Sequence, residues 1–295
     1  MEEGYRPFAE RKRMTRLGEA VTKALRHARR PLIDDHDLWG ILLKIYEHRS
    51  VSYLRGSVPT PSTLTRVRDV LKSERIISRD QDYARVWRVN EVPDVQADEA
   101  VCLIDEGTCI SHLSAMQKFN LTDRRPHTLY VTVATNDQWR KLISGQVVSD
   151  ASYAQRQRRH HPAIVRARDI DIFQTKSFPR TTRLKSSFVR ITEIGETFLD
   201  MLEHPERCGG MSHVLDVFAK HAATYLTPIV KRIDQADTKL TKVRAGYILT
   251  ELLDLNNQTA EAWIRFAQRG GSQRLDPTAP YKPQFSENWM ISLNV

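Results

Sequence analysis

The sequence predicts an α+β protein: an N-terminal winged helix-turn-helix domain followed by a larger mixed domain that is mostly helical at its end. Three observations predict it. Three amphipathic helical segments and then two short β-patterned stretches fill residues 1–93. A polar, non-periodic stretch containing Pro93 follows, and residues 94–98 are read as the linker. Beyond it, residues 99–295 mix strand-like and helical patterns, and the spacing is helical from residue 193 to 268. A chain of 295 residues, 40% of them hydrophobic, can build two cores.

The first helix is expected over residues 16–28, where Leu17, Val21, Ala24, Leu25 and Ala28 share a face. Arg29-Arg30-Pro31 ends it. Asp34 and Asp35 offer N-caps to a second helix, whose stripe Leu38, Ile41, Leu42 and Ile45 runs to residue 48. A turn follows from Gly56 to Pro61, with Thr60 suited to the N-cap and Pro61 to the first helical position. The third helix runs to residue 74 and buries Leu64, Val67, Val70 and Leu71. Strands are expected at 75–79 and 84–89, with 80–83 as the turn. This order is that of a winged helix, which inserts its third helix into the major groove. In the larger domain a helix is expected at 108–120 and strands at 127–134 and 163–173. Helices then follow at 193–203, 212–226, 228–254 with a break near Thr238, and 257–268. Residues 271–295 hold Pro277, Pro280 and Pro283 and read as an irregular arm.

The net charge of +9 and a pI near 9.5 favour polyanion partners. Residues 1–93 carry 19 Lys and Arg against 13 Asp and Glu, and residues 94–190 carry 15 against 10. Residues 191–295 carry 11 against 13, so the basic surplus sits in the first two thirds. No apolar run is long enough to span a membrane. The opening Met1-Glu2-Glu3-Gly4 lacks the apolar stretch of a secretory signal. Cys102, Cys109 and Cys208 form no Cys-x-x-Cys pair and are too few for a disulfide framework, which fits a reduced cytoplasmic protein.

On the third helix, the face opposite the apolar stripe presents Ser62, Thr65, Arg66 and Asp69, flanked by Arg68 and Lys72. Arginine reads guanine edges with two parallel hydrogen bonds, and Ser or Thr takes a base or a phosphate. Asp69 is placed to accept from cytosine or to orient Arg66 or Arg68. Arg79, Arg85 and Arg88 on the hairpin suit phosphates or a minor groove. Arg13 and Arg16, in the basic run before the first helix, suit the same role or a solvated tail. The expected partner is double-stranded DNA, bound by more than one copy, because such repressors read repeated half-sites. A second cluster contains Arg156, Arg158, Arg159, His160, His161, Arg166 and Arg168. It is a candidate second basic surface, for DNA or an acidic partner; a solvated loop is the alternative.

Past the linker, Thr108-Cys109-Ile110-Ser111-His112-Leu113-Ser114-Ala115-Met116 and Phe119-Asn120-Leu121-Thr122-Asp123 resemble the opening of the C-terminal domain of AbiEi-family antitoxins. The segment HTLYVTV, residues 127–133, is similar to that family's next strand. Phe198-Leu199-Asp200-Met201-Leu202 and His204-Pro205-Glu206-Arg207-Cys208-Gly209-Gly210 resemble its helix ending in Arg-Pro-Glu and Gly-Gly. One departure is Gly195-Glu196-Thr197, where many members have Glu-Arg-Thr. The resemblance implies a DNA-binding antitoxin that represses its own operon and counteracts an AbiEii-type nucleotidyltransferase toxin, with the antitoxic activity in residues 99–295. A plain winged-helix transcription factor, with a dimerising or ligand-sensing C-terminal domain, is the alternative.

Catalytic signatures are missing from the sequence: no P-loop, Gly-x-Ser-x-Gly, His-Glu-x-x-His or Gly-x-Gly-x-x-Gly occurs. His204, Cys208 and His213 make a weak zinc pattern around a Gly-Gly turn. Asp171, Gln174 and Lys176 faintly resemble a nuclease metal site, but a divalent ion prefers two anionic oxygens, and only Asp169 or Asp171 supplies one. A metal-dependent nuclease is thus the weakest alternative. The sequence reading expects no enzymatic activity, no metal and no cofactor.

Overall fold

A computed structural model describes residues 14–144, 156–268 and 273–295. The fold is α+β, and these residues fall into two compact units. One comprises residues 14–96 with 143–144 and 156–162; the other comprises 97–142, 163–268 and 273–295. The segment around 156–162, which composition assigns to the larger domain, therefore belongs to the first unit.

In the first unit, α1 (Arg16–Ala28) is capped by Thr15, whose hydroxyl accepts from the Gly18 N–H at 3.1 Å. Arg29 ends it in the left-handed region. Helix α2 (Asp35–Glu47) opens on a capping box: Asp34 accepts from the Asp37 N–H at 3.0 Å, and Asp37 from the Asp34 N–H at 3.1 Å. Helix α3 (Pro61–Ser73) starts at Thr60 with proline in the first turn. The apolar stripes of the three helices meet in one core of Val21, Leu25, Leu38, Leu42, Leu64, Val67 and Leu71. It is closed by strands β2 (Ile77–Arg79) and β3 (Trp87–Val89). Both strands start later than alternation predicts, after Arg75 and Arg85, which hold positive φ, while Asp80 makes the expected turn by accepting from the N–H groups of Asp82 and Tyr83. A two-residue strand, β1 (Leu32–Ile33), pairs antiparallel with β3, giving the order β1-β3-β2. The returning segment docks on this unit: the Tyr83 hydroxyl meets His161 Nδ1 at 2.9 Å, and Arg159 donates to the carbonyls of Ala84 and Arg85.

The second unit begins with α4 (Ala97–Ile104), which starts inside the expected linker. Residues 108–120 are not one helix. Thr108–Ile110 is a fully buried strand, β4, and helix α5 (His112–Lys118) starts after Ser111. The Thr-Cys-Ile run pairs on both edges, with β5 (Leu129–Val133) and with β9 (Arg190–Thr192). Tertiary pairing therefore overrides the helical spacing that follows it. Helix α6 (Asn136–Ile143) was not anticipated. The strand expected at 163–173 is a hairpin of β6 (Ile164–Val165) and β7 (Arg168–Gln174), folded at Arg166 and Ala167, both with positive φ. With β8 (Thr181–Arg183) the six strands run in the order β6-β7-β5-β4-β9-β8.

Further helices pack on one another in one core, with α7 also meeting α5: α7 (Ile194–Glu203), α8 (Met211–His221), α9 (Leu226–Asp234), α10 (Lys239–Gly246) and α11 (Gln258–Ala262). The break near Thr238 is the start of α10. Gly195 meets α9 so closely that an added Cβ would lie 2.5 Å from the Pro228 carbonyl oxygen, so this position of α7 takes no side chain. The C-terminal segment is ordered rather than irregular. It forms the hairpin β10 (Phe285–Ser286) and β11 (Ile291–Ser292), and Trp289 and Ile291 enter the core. Its three prolines masked this, although the anchoring Trp289 and Ile291 come after the last of them, Pro283. A Cβ on Gly246 would lie 2.1 Å from the Trp289 ring.

Asp200, the acid of the Leu-Asp-Met-Leu motif, is half-buried beside this core. Burial pushes its carboxyl up to about 8, against the weak pull of the His112 N–H 3.5 Å away. His112 is itself buried, and burial pushes its imidazole down to about 3. Thr132 Oγ1 donates to Ser111 Oγ, which lies 2.7 Å from His112 Nδ1.

Two predictions follow from this packing. Gly246→Ala should cost about 1–3 kcal/mol by overpacking. That cost should shrink in a Trp289→Ala background, as chemical denaturation of the four variants would show. Asp200 binds a proton in the fold but not in the unfolded chain between about pH 4 and 8, so it lowers stability as pH rises through that window. His112 acts in the opposite sense, lowering stability as pH falls from about 6.5 toward 3. Between about pH 6.5 and 8 only Asp200 acts, and the decline it causes there should disappear in Asp200→Asn, measured by urea unfolding at both pH values.

Candidate nucleic-acid interface

The exposed side of α3 is set by what its other residues hold. Leu64, Val67 and Leu71 face the core, which leaves Ser62, Thr65, Arg66 and Asp69 in solvent. Ser62 Oγ lies 2.9 Å from Thr60 Oγ1 and so takes part in the cap. Among the described residues, no carboxylate comes within ion-pair distance of Arg66.

Arg68 does not share that freedom. Its Nη1 is 2.8 Å from Asp35 Oδ2, and its guanidinium stands 5.9 Å over the Trp87 ring. The other oxygen of Asp35 accepts from Trp87 Nε1 at 3.2 Å. Arg68 therefore ties α3 to α2 and β3. Lys72 lies 5.4 Å over the same ring and 3.4 Å from Asp69. Asp69 thus pairs with Lys72, and not with Arg66 or Arg68 as the spacing suggested.

On the hairpin, Arg79 and Arg85 are exposed, and neither has a carboxylate partner among the described residues. Arg88 is half-buried with Asp94 Oδ2 3.7 Å away. Arg16, at the start of α1, is exposed and stands 5.4 Å over the Tyr53 ring. Arg13 lies outside the described residues. The expected set is thereby sorted: Arg16, Arg66, Arg79 and Arg85 stay available to a polyanion, while Arg68, Lys72 and Arg88 have acidic partners. Apolar periodicity and caps do not single out Tyr53 and Arg55 in the α2–α3 connection; an aromatic and an arginine beside the helix entrance are the signal that does.

The second basic cluster is not a free surface. Arg159 donates to two main-chain carbonyls and lies 3.4 Å from Asp34. Arg168, in the other unit, donates to the carbonyls of Pro126 and His127 at 3.1 and 2.9 Å. Arg156, Arg158 and Arg166 also carry partners. Main-chain carbonyls and the half-buried Asp34 take up the charge of Arg159, and main-chain carbonyls that of Arg168.

Among the described residues, Asp34, His36 and Asp37 are the group whose ligand atoms come within 4.8 Å of one another. Burial raises the Asp37 carboxyl, Arg30 lowers it, and Asp34 raises it further. Both acids already cap α2 and face Arg30 and Arg159, which accounts for them without an ion. His204, Cys208 and His213 form no such group: His213 Nε2 is 3.0 Å from Thr122 Oγ1, and burial pushes the Cys208 thiol up, away from a thiolate ligand. Asp171 is ion-paired with Arg207. Strand periodicity sends Gln174 to the opposite face of β7, and Lys176 lies past the strand end. No helix of the described residues is long and apolar enough to cross a membrane.

No family model matches the chain, and no curated protein matches it. Among solved structures, the crystal structure of the RV2827C protein from Mycobacterium tuberculosis aligns over 95% of this chain and 92% of its own, with a TM-score of 0.49 and 11% identity. That likeness is too distant to carry a functional argument, so the geometry of the unpaired cations has to carry it.

Proposed function

We propose that the first unit is a winged helix that binds double-stranded DNA, with α3 in the major groove and the β2–β3 hairpin as the wing. The order of elements and the β1-β3-β2 sheet suit that fold. One observation carries the reading: Arg66 stands outward on α3 beside Thr65 and Ser62, and Arg79 and Arg85 stand on the hairpin, all without carboxylate partners among the described residues. A surface built only for solubility would disperse or pair such charge; unpaired arginines on one helix face and its neighbouring hairpin suit base edges and phosphates.

The resemblance to AbiEi-family antitoxins extends this reading. The chain then represses its own operon, with more than one copy on the operator, and counteracts an AbiEii-type nucleotidyltransferase toxin through residues 99–295. In this reading the protein is cytoplasmic, is not an enzyme and needs no cofactor.

Gel shifts on the region upstream of its own gene test the DNA reading. Arg66→Ala should cost about 1–3 kcal/mol of operator binding and relax specificity. Arg68→Ala should instead lower the unfolding free energy, because it leaves Asp35 without its cation. Absence of any shift by the full chain at low salt would refute the reading. The antitoxin reading is tested with the toxin gene under an unrelated promoter, co-expressed with the full chain carrying Arg66→Ala, Arg79→Ala and Arg85→Ala together. Rescue by this variant is expected. Loss of rescue in the variant, or no rescue by the unmodified chain, would favour a plain transcription factor.

A further inference from the structure

The α2–α3 connection, residues 48–60, is longer than a tight helix-turn-helix turn and is built around one outward aromatic. Val51 and Leu54 pack on the core and anchor the loop from beneath. Arg49 Nη1 donates to the Gly56 carbonyl at 3.0 Å and draws its two arms together. Between these anchors Tyr53 is 91% exposed and held at φ 63, a conformation that a bulky residue seldom adopts. Its ring contact is Arg16, 5.4 Å away, and no core position depends on it.

Tyr53 stands at the wall of a cleft of about 710 Å³ lined by Arg16, Arg55, Thr60, Ser62 and Arg66, among others. Three arginines line this cleft and no Asp or Glu does. None of the three has a carboxylate within ion-pair distance among the described residues. This contrasts with Arg26, Arg30, Arg68 and Arg88 of the same unit, each of which faces an acid. The cleft is continuous with Ser62 and Arg66 on the outward side of α3.

We infer that this cleft seats the sugar-phosphate backbone of the DNA strand flanking the groove that α3 enters, an inference that rests on the DNA-binding reading above. Arg16 and Arg55 neutralise phosphates, and Tyr53 lays its ring against a deoxyribose with its hydroxyl donating to a phosphate oxygen. Charge complementarity selects a polyanion, and continuity with α3 selects the duplex already bound there. Contacts of this kind add affinity and fix register without reading sequence.

The test uses the full chain with two labelled duplexes of equal length, its own upstream region and an unrelated sequence, across a salt series. Tyr53→Ala should weaken binding to both about three- to tenfold, since a backbone contact acts alike on all sequences. Tyr53→Phe should recover the part due to the ring. Arg16→Ala with Arg55→Ala should make the slope of log K against log salt shallower by about 1.8, two phosphate charges' worth. Melting temperatures of Tyr53→Ala and Tyr53→Phe should stay at the parent value, given the exposure of the side chain. Unmodified protein that shifts its upstream DNA while these variants keep its affinity and slope would overturn the inference and leave the DNA reading standing. A loss confined to the upstream duplex, with the slope unchanged, would also overturn it. Unmodified protein that binds neither duplex would end both.

Discussion

Asp35 fixes the orientation of α3, and the rest of the candidate interface depends on it. One carboxylate, at the first position of α2, holds Arg68 with one oxygen and the Trp87 indole with the other. Two helices and a strand are thus locked at a single acid. With Arg68 drawn inward, Arg66 two residues earlier points outward, because successive side chains on a helix turn by about 100°. The neighbouring acids Asp34 and Asp37 cap the same helix end and meet Arg159 and Arg30. Three acids within four residues, two of which read as plain N-cap candidates, are therefore also the anchor for three arginines.

The helices of the first unit were legible because caps and apolar periodicity agreed in each. Arg68 was misjudged although a signal existed: it lies one turn after Leu64 and one turn before Leu71, along the buried stripe. Acidic partners from α2 were invisible to a reading of α3 alone. The same limit explains the strand Thr108–Ile110, whose two pairing partners come from residues 131–133 and 191. Three residues carry no period that distinguishes a central strand from the start of a helix.

In the second unit, several residues that carried the family resemblance have structural employment. Half-buried Asp200 accepts from the main chain of buried His112, Cys208 and Met201 lie in the helical core, and Arg207 pairs with Asp171. Such positions would recur in relatives to keep a core together, whatever their surfaces bind. The resemblance therefore speaks to shared packing, and the surface that would carry the proposed antitoxic activity has to be sought among exposed residues that the motifs do not contain. Sequence alone merged these two kinds of position, since burial is a property of the folded chain.

The first unit is built from two stretches of chain that are not contiguous, and this bears on how the protein is made. Arg159 and His161 supply bonds to Asp34, Ala84, Arg85 and Tyr83, yet they follow α4, β4, α5, β5 and α6 of the other unit. Synthesis runs from the N-terminus, so the three helices and hairpin emerge first without these contacts. The unit is completed only after the ribosome has delivered residue 161 and the first strands of the second unit with it. A nascent or prematurely released chain ending near residue 96 would carry α3 and its arginines but lack the clasp on the loop of the hairpin. Completion of the first unit is in this way timed to follow the start of the second unit's synthesis.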